Sequence, residues 1–397
     1  MRLDSSHRKR RRPLTIQQSD IAIIGAGVVG CAIAQELSLR YGNKKKIMVI
    51  EKFPGIGLET SSLNSGVLHS GIHQDPNFLK SRLAFEGSQK AAEYMKSKGL
   101  PILNCGMLIA ISMKALRSGL YREWQNLYHL IRRGKEQGIK FQFLTAFGVK
   151  KLEPNIQAVG GIFIPNVWVI DPKMFFTALA KDAQEKGVNF FCNEEVIAIE
   201  RGQSDYRIKT EKYKDFEVIG TNEYRSAIVI NSAGLYADEV AALAGFSNYK
   251  IYPWRGEYYE AVNLPKNLVS RLIYPAVPYN YPGKGIHFSP RVDGSLFLGP
   301  NARPVPKKCY YIEEQTPVGQ FLEAAQQFCP MIKKENLKWA YSGIRPKLTD
   351  QPEETDFIIR LDAANPPFIN LIGIESPGLS ASMAIARYVS DVISTYT

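Results

Sequence analysis

Cysteine is scarce in this chain, with five residues among 397. The count is odd, no two cysteines form a CxxC pair, and the spacings match no metal site. This pattern excludes a disulfide framework and predicts reduced thiols in a cytosolic protein. The five residues are Cys31, Cys105, Cys192, Cys309 and Cys329.

Long apolar runs are also missing. The longest, "IAIIGAGVVGCAIA", has fourteen residues and ends at Gln35 and Glu36. A helix that spans a bilayer needs about 20 apolar residues, so this run predicts a buried strand and helix instead. No apolar stretch follows the charges at the amino terminus, so we expect no secretory signal and a cytoplasmic location.

Acidic residues are outnumbered: Lys and Arg total 50 against 38 Asp and Glu, a formal net charge of +12. Residues 1–12 hold six basic side chains and one acid, including "RKRRR" at 8–12. We expect a disordered basic arm over residues 1–17, with attraction to an anionic membrane as the functional alternative. No nucleic-acid-binding motif follows, so we expect no nucleic-acid partner. A non-redox nucleotide- or nucleic-acid-binding protein remains the alternative from a different class.

A glycine-rich turn stands between the first predicted strand and helix, within residues 20–52. Gly25 permits a tight turn, Gly27 lets the backbone approach a pyrophosphate, and Gly30 lets helix and strand pack closely. The amino end of the following helix attracts phosphates. Glu51 ends the second strand, where a carboxylate binds the ribose of a dinucleotide. The sequence therefore predicts a dinucleotide-binding βαβ unit.

Strand, small-residue turn and helix recur twice later in the chain. "SAIVINSAGLYADEVAALAG" carries Gly234 at its turn, and "FINLIGIESPGLSASMAIARYVSDVI" closes the chain. Residues 251–300 alternate in the manner of antiparallel strands, with Asp293 and Gly294 as a hairpin turn. This order predicts a cofactor domain that is interrupted by a sheet-rich substrate domain.

Nine segments together carry a family resemblance over residues 20 to about 393. The chain resembles FAD-dependent oxidoreductases of the D-amino-acid-oxidase superfamily. Within that superfamily it resembles L-2-hydroxyglutarate dehydrogenases (oxidases) more than glycerol-3-phosphate dehydrogenases. The segments are "SSLNSGVLHSGI", "CGMLIA", "NSAGLYAD", "RGEYYE", "RLIYPAV", "GIHFS", "DGSLFLGPNA", "YSGIRPKL" and "LIGIESPGLSASMAIA".

The resemblance implies a two-lobed α/β (α+β) fold, in which a mixed or antiparallel substrate sheet interrupts a Rossmann-like FAD-binding domain. We assign residues 18–85, 150–245 and 335–397 to the FAD-binding domain. Residues 86–149 and 246–334 are assigned to the substrate or cap domain.

The resemblance also implies non-covalent FAD. The helix that starts near Leu379 would point its amino end at the flavin and stabilise the anionic reduced form. The predicted cofactor-binding residues are Gly25, Gly27, Val29, Gly30, Glu51, Lys52, Ser61, Ser62, Asn64, Ser65, Gly66, Val196, Ala233, Gly234, Gly343, Arg345, Gly378, Leu379 and Ser380.

Three catalytic residues follow from the resemblance. His287 is the predicted base, since an imidazole suits proton abstraction near neutral pH. Arg345 is the predicted carboxylate clamp, since a guanidinium binds carboxylate through two hydrogen bonds. His69 would face the flavin or the substrate. Arg255 and Tyr258 would form a second anion pocket, which a dicarboxylate requires.

The resemblance implies oxidation of L-2-hydroxyglutarate to 2-oxoglutarate, with electrons passed to a quinone or to oxygen. A quinone acceptor would suit a peripheral position at the inner membrane. His73 and Trp168 depart from the family pattern, and His73 is taken as a substrate contact. Glycerol 3-phosphate or an amino acid is the alternative substrate, and clustered Arg and Lys would favour the phosphate.

Overall fold

The computed structural model describes residues 16–115, 120–278, 281 and 283–397. The predicted basic arm lies outside these residues except for its last two positions, and Gln17 already begins a strand.

The described residues form twenty strands and eight helices. The strands are β1 Gln17–Ile24, β2 Ile47–Ile50, β3 Val67–Leu68, β4 Ile102–Leu103, β5 Met107–Ser112, β6 Gln142–Thr145, β7 Ala158–Ile164, β8 Trp168–Ile170, β9 Asn189–Phe191, β10 Glu194–Arg201, β11 Tyr206–Lys214, β12 Glu217–Asn231, β13 Tyr252–Ala261, β14 Leu272–Pro275, β15 Phe288–Pro290, β16 Leu296–Leu298, β17 Arg303–Pro304, β18 Leu337–Lys347, β19 Ile358–Ala364 and β20 Pro367–Ile372. The helices are α1 Val28–Tyr41, α2 Leu79–Ser97, α3 Leu120–Glu136, α4 Ala146–Leu152, α5 Pro172–Glu185, α6 Ala237–Leu243, α7 Val318–Gln326 and α8 Gly378–Ile393.

A first sheet has a parallel centre, in the order β20-β12-β1-β2-β9. β19 adds an antiparallel edge, and the β10–β11 pair extends the sheet from β12. Ile24 lies opposite both Ile50 and Asn231, so β1, β2 and β12 end at the same edge. The turns after these strands therefore meet there, as ligand-binding turns do in open α/β sheets.

Helices cover this sheet with apolar faces. α1 packs against α5 and α8, and α2 packs against α8. The approach of α2 to α8 is close, because a Cβ on Gly87 would lie 2.4 Å from the carbonyl oxygen of Ser380. This contact fixes the start of α8 against the body of the fold. The predicted Rossmann-like layer is confirmed.

A second, mixed sheet runs in the order β17-β13-β16-β15-β14-β5-β7-β6, and β18 pairs along β13. β5 and β14 are parallel, whereas the other pairs are antiparallel. The strands β7 and β18 fall in ranges predicted for the FAD-binding domain, yet both hydrogen-bond in this second sheet. The second sheet therefore includes strands from both predicted domains, and the division into domains stays a prediction.

Two predictions that rest on residues adjacent in the chain, a helix cap and a hairpin turn, are confirmed. Asp171 caps α5, and its carboxylate accepts hydrogen bonds from the amides of Lys173 and Met174. Asp293 and Gly294 form the turn between β15 and β16. Within the described ranges, every helix is too short or too polar to span a bilayer.

Candidate active site

The turn after β1 is shaped by glycine. Gly25 has a φ of +97°, and a Cβ on Gly30 would lie 2.0 Å from the Gly25 carbonyl oxygen. Glu51, directly after β2, accepts hydrogen bonds from the amides of Ala26 and Phe53, at 2.7 and 2.9 Å. Burial raises the pKa of the Glu51 carboxyl. The glycine turn and the acid therefore form one unit at the edge of the sheet.

The serine-rich loop after residue 60 lies between α1 and β18. Ser61 Oγ accepts a hydrogen bond from the amide of Val28 in the first turn of α1, at 2.9 Å. The Asn64 carbonyl oxygen accepts one from the Tyr341 hydroxyl, also at 2.9 Å. A Cβ on Gly343 would lie 1.9 Å from the Leu63 carbonyl oxygen. The loop is therefore held at both ends, and only glycine fits at position 343.

Two connected recesses begin at this glycine turn. Both are lined by Gly27, Ser61 and Gly234. The first recess, next to β2, is further lined by the predicted residues Gly25, Glu51, Lys52, Val196 and Ala233. The second, which we call the substrate cavity, is further lined by the predicted residues Val29, Asn64, Ser65, Gly343, Arg345, Gly378, Leu379 and Ser380. Two recesses that share the glycine turn suit an extended dinucleotide, with the phosphates at that turn.

Three predicted cofactor residues do not line either recess. Gly30 is needed for packing, as described above. Ser62 donates its hydroxyl to the Gly57 carbonyl oxygen at 2.5 Å. Gly66 has a φ of +68° and a Cβ there would lie 2.3 Å from the Ile170 carbonyl oxygen. The contacts that the structure shows for these three residues lie within the protein, and their assignment to the cofactor stays a prediction.

The amino end of α8 opens into the substrate cavity. Pro377 precedes it without a side-chain cap. Among the described residues, nothing accepts a hydrogen bond from the amides of Leu379 and Ser380. A helix end of this kind carries partial positive charge. Ser380 Oγ accepts a hydrogen bond from the backbone amide of His69 at 2.9 Å, which fixes that histidine beside the helix.

Three histidines surround Tyr274 in the substrate cavity. Tyr274 stacks on His287 with ring centroids 3.8 Å apart, and lies 5.4 Å from His73 and 6.3 Å from His69. Four enclosed polar atoms in this group have no partner among the described residues: Nδ1 of His69, Nε2 of His73, Nε2 of His287 and the Tyr274 hydroxyl. Enclosed polar atoms without partners indicate a place where a polar ligand binds.

Burial lowers the pKa of all three histidines, and nearby cations lower it further; for His287 the pKa falls to about 3. The rings are therefore neutral at pH 7 and can accept a proton. His287 Nδ1 lies 3.0 Å from the Gly285 carbonyl oxygen, so this nitrogen carries the hydrogen. The other ring nitrogen of His287, Nε2, is enclosed and has no hydrogen-bond partner among the described residues.

Two cationic side chains converge beside the histidines. A Cβ built on Gly283 would lie 3.5 Å from Arg345 Nη1, so the backbone next to Lys284 passes close to that guanidinium. With its amide oriented to accept, Gln74 lies 3.3 Å from Lys284 Nζ. Burial lowers the pKa of Lys284 to about 7. Sequence reasoning missed Lys284, because "YPGKG" has the composition of an ordinary turn.

Arg255 requires a correction. Its side chain is fully buried, donates hydrogen bonds to the carbonyl oxygens of Tyr310, Glu313 and Glu314, and lies 3.5 Å from Glu257. Alternate residues of a strand face opposite sides. Tyr258 faces the substrate cavity, whereas Arg255 faces away from it and forms no second anion pocket.

The other cations on the cavity wall have protein partners. Lys80 Nζ lies 3.1 Å from Glu354 and 3.9 Å from Glu375. Lys347 Nζ donates to the carbonyl oxygens of Gln351 and Glu353, at 3.2 and 3.0 Å. Lys284 and Arg345 are therefore the cations best placed to bind an anion next to the histidines.

Trp168, one of the two departures from the family pattern, pairs with Leu68 between β8 and β3. It is 8% exposed and does not line the substrate cavity. His73 does line it, so of the two departures His73 is the one that contributes to the cavity wall.

Comparisons with known proteins agree with this geometry. The glycerol 3-phosphate dehydrogenase of Caloramator mitchellensis is 32% identical over 377 residues, which cover 94% of this chain and 73% of the relative. The mitochondrial L-2-hydroxyglutarate dehydrogenase of Bos taurus is 35% identical over 288 residues, 71% of this chain and 60% of that enzyme. The match thus spans less than two thirds of the bovine enzyme.

Among solved structures, the dithionite-reduced L-alpha-glycerophosphate oxidase from Mycoplasma pneumoniae with FAD bound has a TM-score of 0.82 and 29% identity, over 96% of this chain and 95% of that one. The DAO family, described as FAD dependent oxidoreductase, matches residues 20–392. The two recesses fit FAD, which is the cofactor of this chain. The chain belongs to the DAO family of FAD-dependent oxidoreductases.

Proposed function

We propose that this chain oxidises a secondary alcohol on a small molecule that carries one strongly anionic group, with glycerol 3-phosphate as the first candidate. The observation that supports this proposal is that Lys284 and Arg345 both line the substrate cavity, with the backbone next to Lys284 close to the Arg345 guanidinium. Clustered cations suit a phosphate dianion. The second anion pocket that was predicted for a dicarboxylate is missing at Arg255, which faces the other way.

The base in this proposal is His69 rather than His287. His69 is anchored through its amide to Ser380 at the start of α8, close to the recess predicted for the flavin. Nε2 of His287 and Nδ1 of His69 are both enclosed without a partner among the described residues, so the choice rests on the position of His69 beside α8. We therefore assign His287 a positioning role, in which it stacks on Tyr274.

The proposed reaction gives the cofactor and each of these side chains one role. FAD, when bound, supplies the acceptor for the hydride of the substrate C–H bond. Lys284 and Arg345 bind the anion and orient the hydroxyl-bearing carbon. Neutral His69 accepts the hydroxyl proton as the C=O bond forms. The amino end of α8 adds partial positive charge to the region where negative charge develops.

L-2-hydroxyglutarate is the second candidate, and the 35% identity to the bovine dehydrogenase favours it. Its carboxylate next to the hydroxyl group would bind Lys284 and Arg345. Its distal carboxylate would need a further cation such as Lys347, which would have to leave two backbone carbonyl oxygens. An amino acid is less favoured, because the carboxylates of Glu354 and Glu375 are already paired with Lys80.

The test is anaerobic reduction of the flavin by candidate substrates. We expect glycerol 3-phosphate to bleach the flavin band of the purified protein, and Lys284→Met to raise the concentration needed for half-maximal bleaching. Bleaching by L-2-hydroxyglutarate alone, with no response to its D-isomer, would make the second candidate the substrate. A flavin that none of these compounds reduces would contradict both candidates.

Electrons then pass to a quinone or to oxygen. The net charge of +12 supports a peripheral position at an anionic membrane, where a quinone is available. The discriminating measurement is the reoxidation rate of the reduced protein with oxygen and with a short-chain quinone. Absence of the protein from membranes washed at low salt would count against the peripheral position.

A further inference from the structure

Helix α3 has two functional faces. Asn126, His129, Leu130 and Arg133 line the substrate cavity from this helix. Asn126 is fixed there by a hydrogen bond from its Nδ2 to the Ala276 carbonyl oxygen, at 3.0 Å. The helix is therefore part of the cavity wall, and whatever its outer face contacts lies one helix diameter from the site.

The outer face of α3 is aromatic. Tyr121, Trp124 and Tyr128 are 73%, 43% and 65% exposed, and their spacing of three and four residues puts them on one side of the helix. A single exposed aromatic side chain is normal on a protein surface, whereas several side by side indicate an interaction site. The Tyr128 ring lies 6.3 Å from the ring of His129, which lines the cavity, so the row reaches the cavity mouth.

The row continues into the next segment. Phe141 packs close to α3, since its ring lies 3.3 Å from a Cβ built on Gly134. Phe143 contacts Phe141 edge to face at 5.5 Å and is 65% exposed. We call Tyr121, Trp124, Tyr128 and Phe143 the aromatic face.

The charge around the aromatic face is positive. Residues 120–152 contain seven Lys and Arg and only two Glu. Glu123 faces inward, where it accepts hydrogen bonds from the amide and hydroxyl of Ser112, and Glu136 pairs with Arg132 at 2.9 Å. The exposed surface beside the aromatic rings is therefore basic.

We propose that the aromatic face docks on an anionic lipid bilayer. Trp and Tyr favour the headgroup region, and Lys and Arg are attracted to anionic lipids. A second copy of this chain would bring the same positive charge against itself, which makes self-association the weaker choice. Docking here would place the cavity mouth at the bilayer surface. The proposed quinone acceptor rests on the proposed function; the docking itself does not.

The experiment is flotation of the FAD-loaded protein with vesicles. We would compare vesicles of phosphatidylcholine alone with vesicles that contain phosphatidylglycerol, at low salt. The residue 1–12 arm is removed from every variant, because "RKRRR" could itself bind anionic lipid. We expect the shortened protein to float only with the anionic vesicles, and Tyr121→Gln/Trp124→Gln/Tyr128→Gln to weaken binding on the order of tenfold or more.

A matched control is Phe216→Gln, because Phe216 is fully exposed but lies between β11 and β12 in the first sheet. We expect this variant to bind vesicles like the unchanged protein. Trp124 also gives a direct signal, since Trp168 and Trp254 are buried and Trp339 is partly buried against the core. Its emission should shift to the blue on docking, and Trp124→Phe should remove the shift.

The proposal is overturned if the shortened protein does not float, or if the triple variant floats equally well. It is also overturned if light scattering shows a dimer that the triple variant dissociates, because a second copy would then occupy the aromatic face. Flavin reduction by substrate should be the same in the triple variant. A protein that docks but is reduced by no candidate substrate would refute only the proposed function.

Discussion

Anion binding in the substrate cavity should weaken as pH rises through about 7, because the cation of Lys284 is lost there. Burial lowers the pKa of His69, His73 and His287, which moves each of them away from the range in which Lys284 loses its proton. Loss of the pH dependence in a Lys284 variant would therefore assign it to this lysine.

The magnitude follows from the fraction of protonated lysine. If an anion binds only the protonated form, its Kd is nearly constant below pH 6, about twice that value at pH 7, and rises roughly tenfold per pH unit above it. Sulfate is the probe, because it stays a dianion throughout, whereas a phosphate ester titrates near pH 6. Its binding can be followed by perturbation of the flavin spectrum.

Two variants test whether the pH dependence comes from the titrating charge of Lys284. Lys284→Arg keeps the cation and should give tight binding that is flat from pH 6 to pH 9. Lys284→Met should give flat binding that is roughly 10- to 100-fold weaker at pH 6, the value of one charged hydrogen bond. A wild-type Kd that does not change with pH, or an unchanged pH profile in Lys284→Met, would refute the role given to this lysine.

The remaining predictions concern the base, the cofactor loop and the buried ion pair. His69→Asn should lower the rate of flavin reduction roughly 10²- to 10⁴-fold, whereas His287→Asn should cost less than about tenfold; the reverse order would make the latter the base. Gly343→Ala should lose bound FAD, because the new methyl group meets a backbone carbonyl oxygen, and Gly220→Ala, in open space, should keep it. Glu257→Gln should lower the free energy of unfolding by about 3 kcal/mol in a denaturant titration, because a buried guanidinium loses its carboxylate, and unchanged stability would show that the pair is dispensable.

The cofactor turn could be predicted because its signals are local. Gly25, Gly27 and Glu51 are fixed by a strand, a turn and a helix that are consecutive in the chain, and the structure places all three on a recess wall. Asp171 is confirmed as a helix cap for the same reason. These features need no knowledge of distant contacts.

The substrate side could be predicted only in part, since it depends on register and on long-range packing. In "RGEYYE" both faces of the strand carry polar groups, so the alternation alone does not show that Arg255 faces away. The sequence around Lys284 does not indicate a site, because its role depends on the proximity of Arg345, which is sixty-one positions further along the chain. The pairing of β18 with β13 also joins distant segments, so no local signal in the sequence shows that these two strands share a sheet.

β18 carries both the proposed flavin contact, Gly343, and the proposed anion contact, Arg345. Two residues of extended strand span roughly 7 Å, so covalent geometry alone sets the spacing between these contacts. Hinge motion between the two sheets would leave that spacing unchanged. During evolution, substitutions at residues that reach the cavity from other segments, such as His73 and Lys284, could change which substrate binds. The spacing that aligns the substrate for hydride transfer would stay the same.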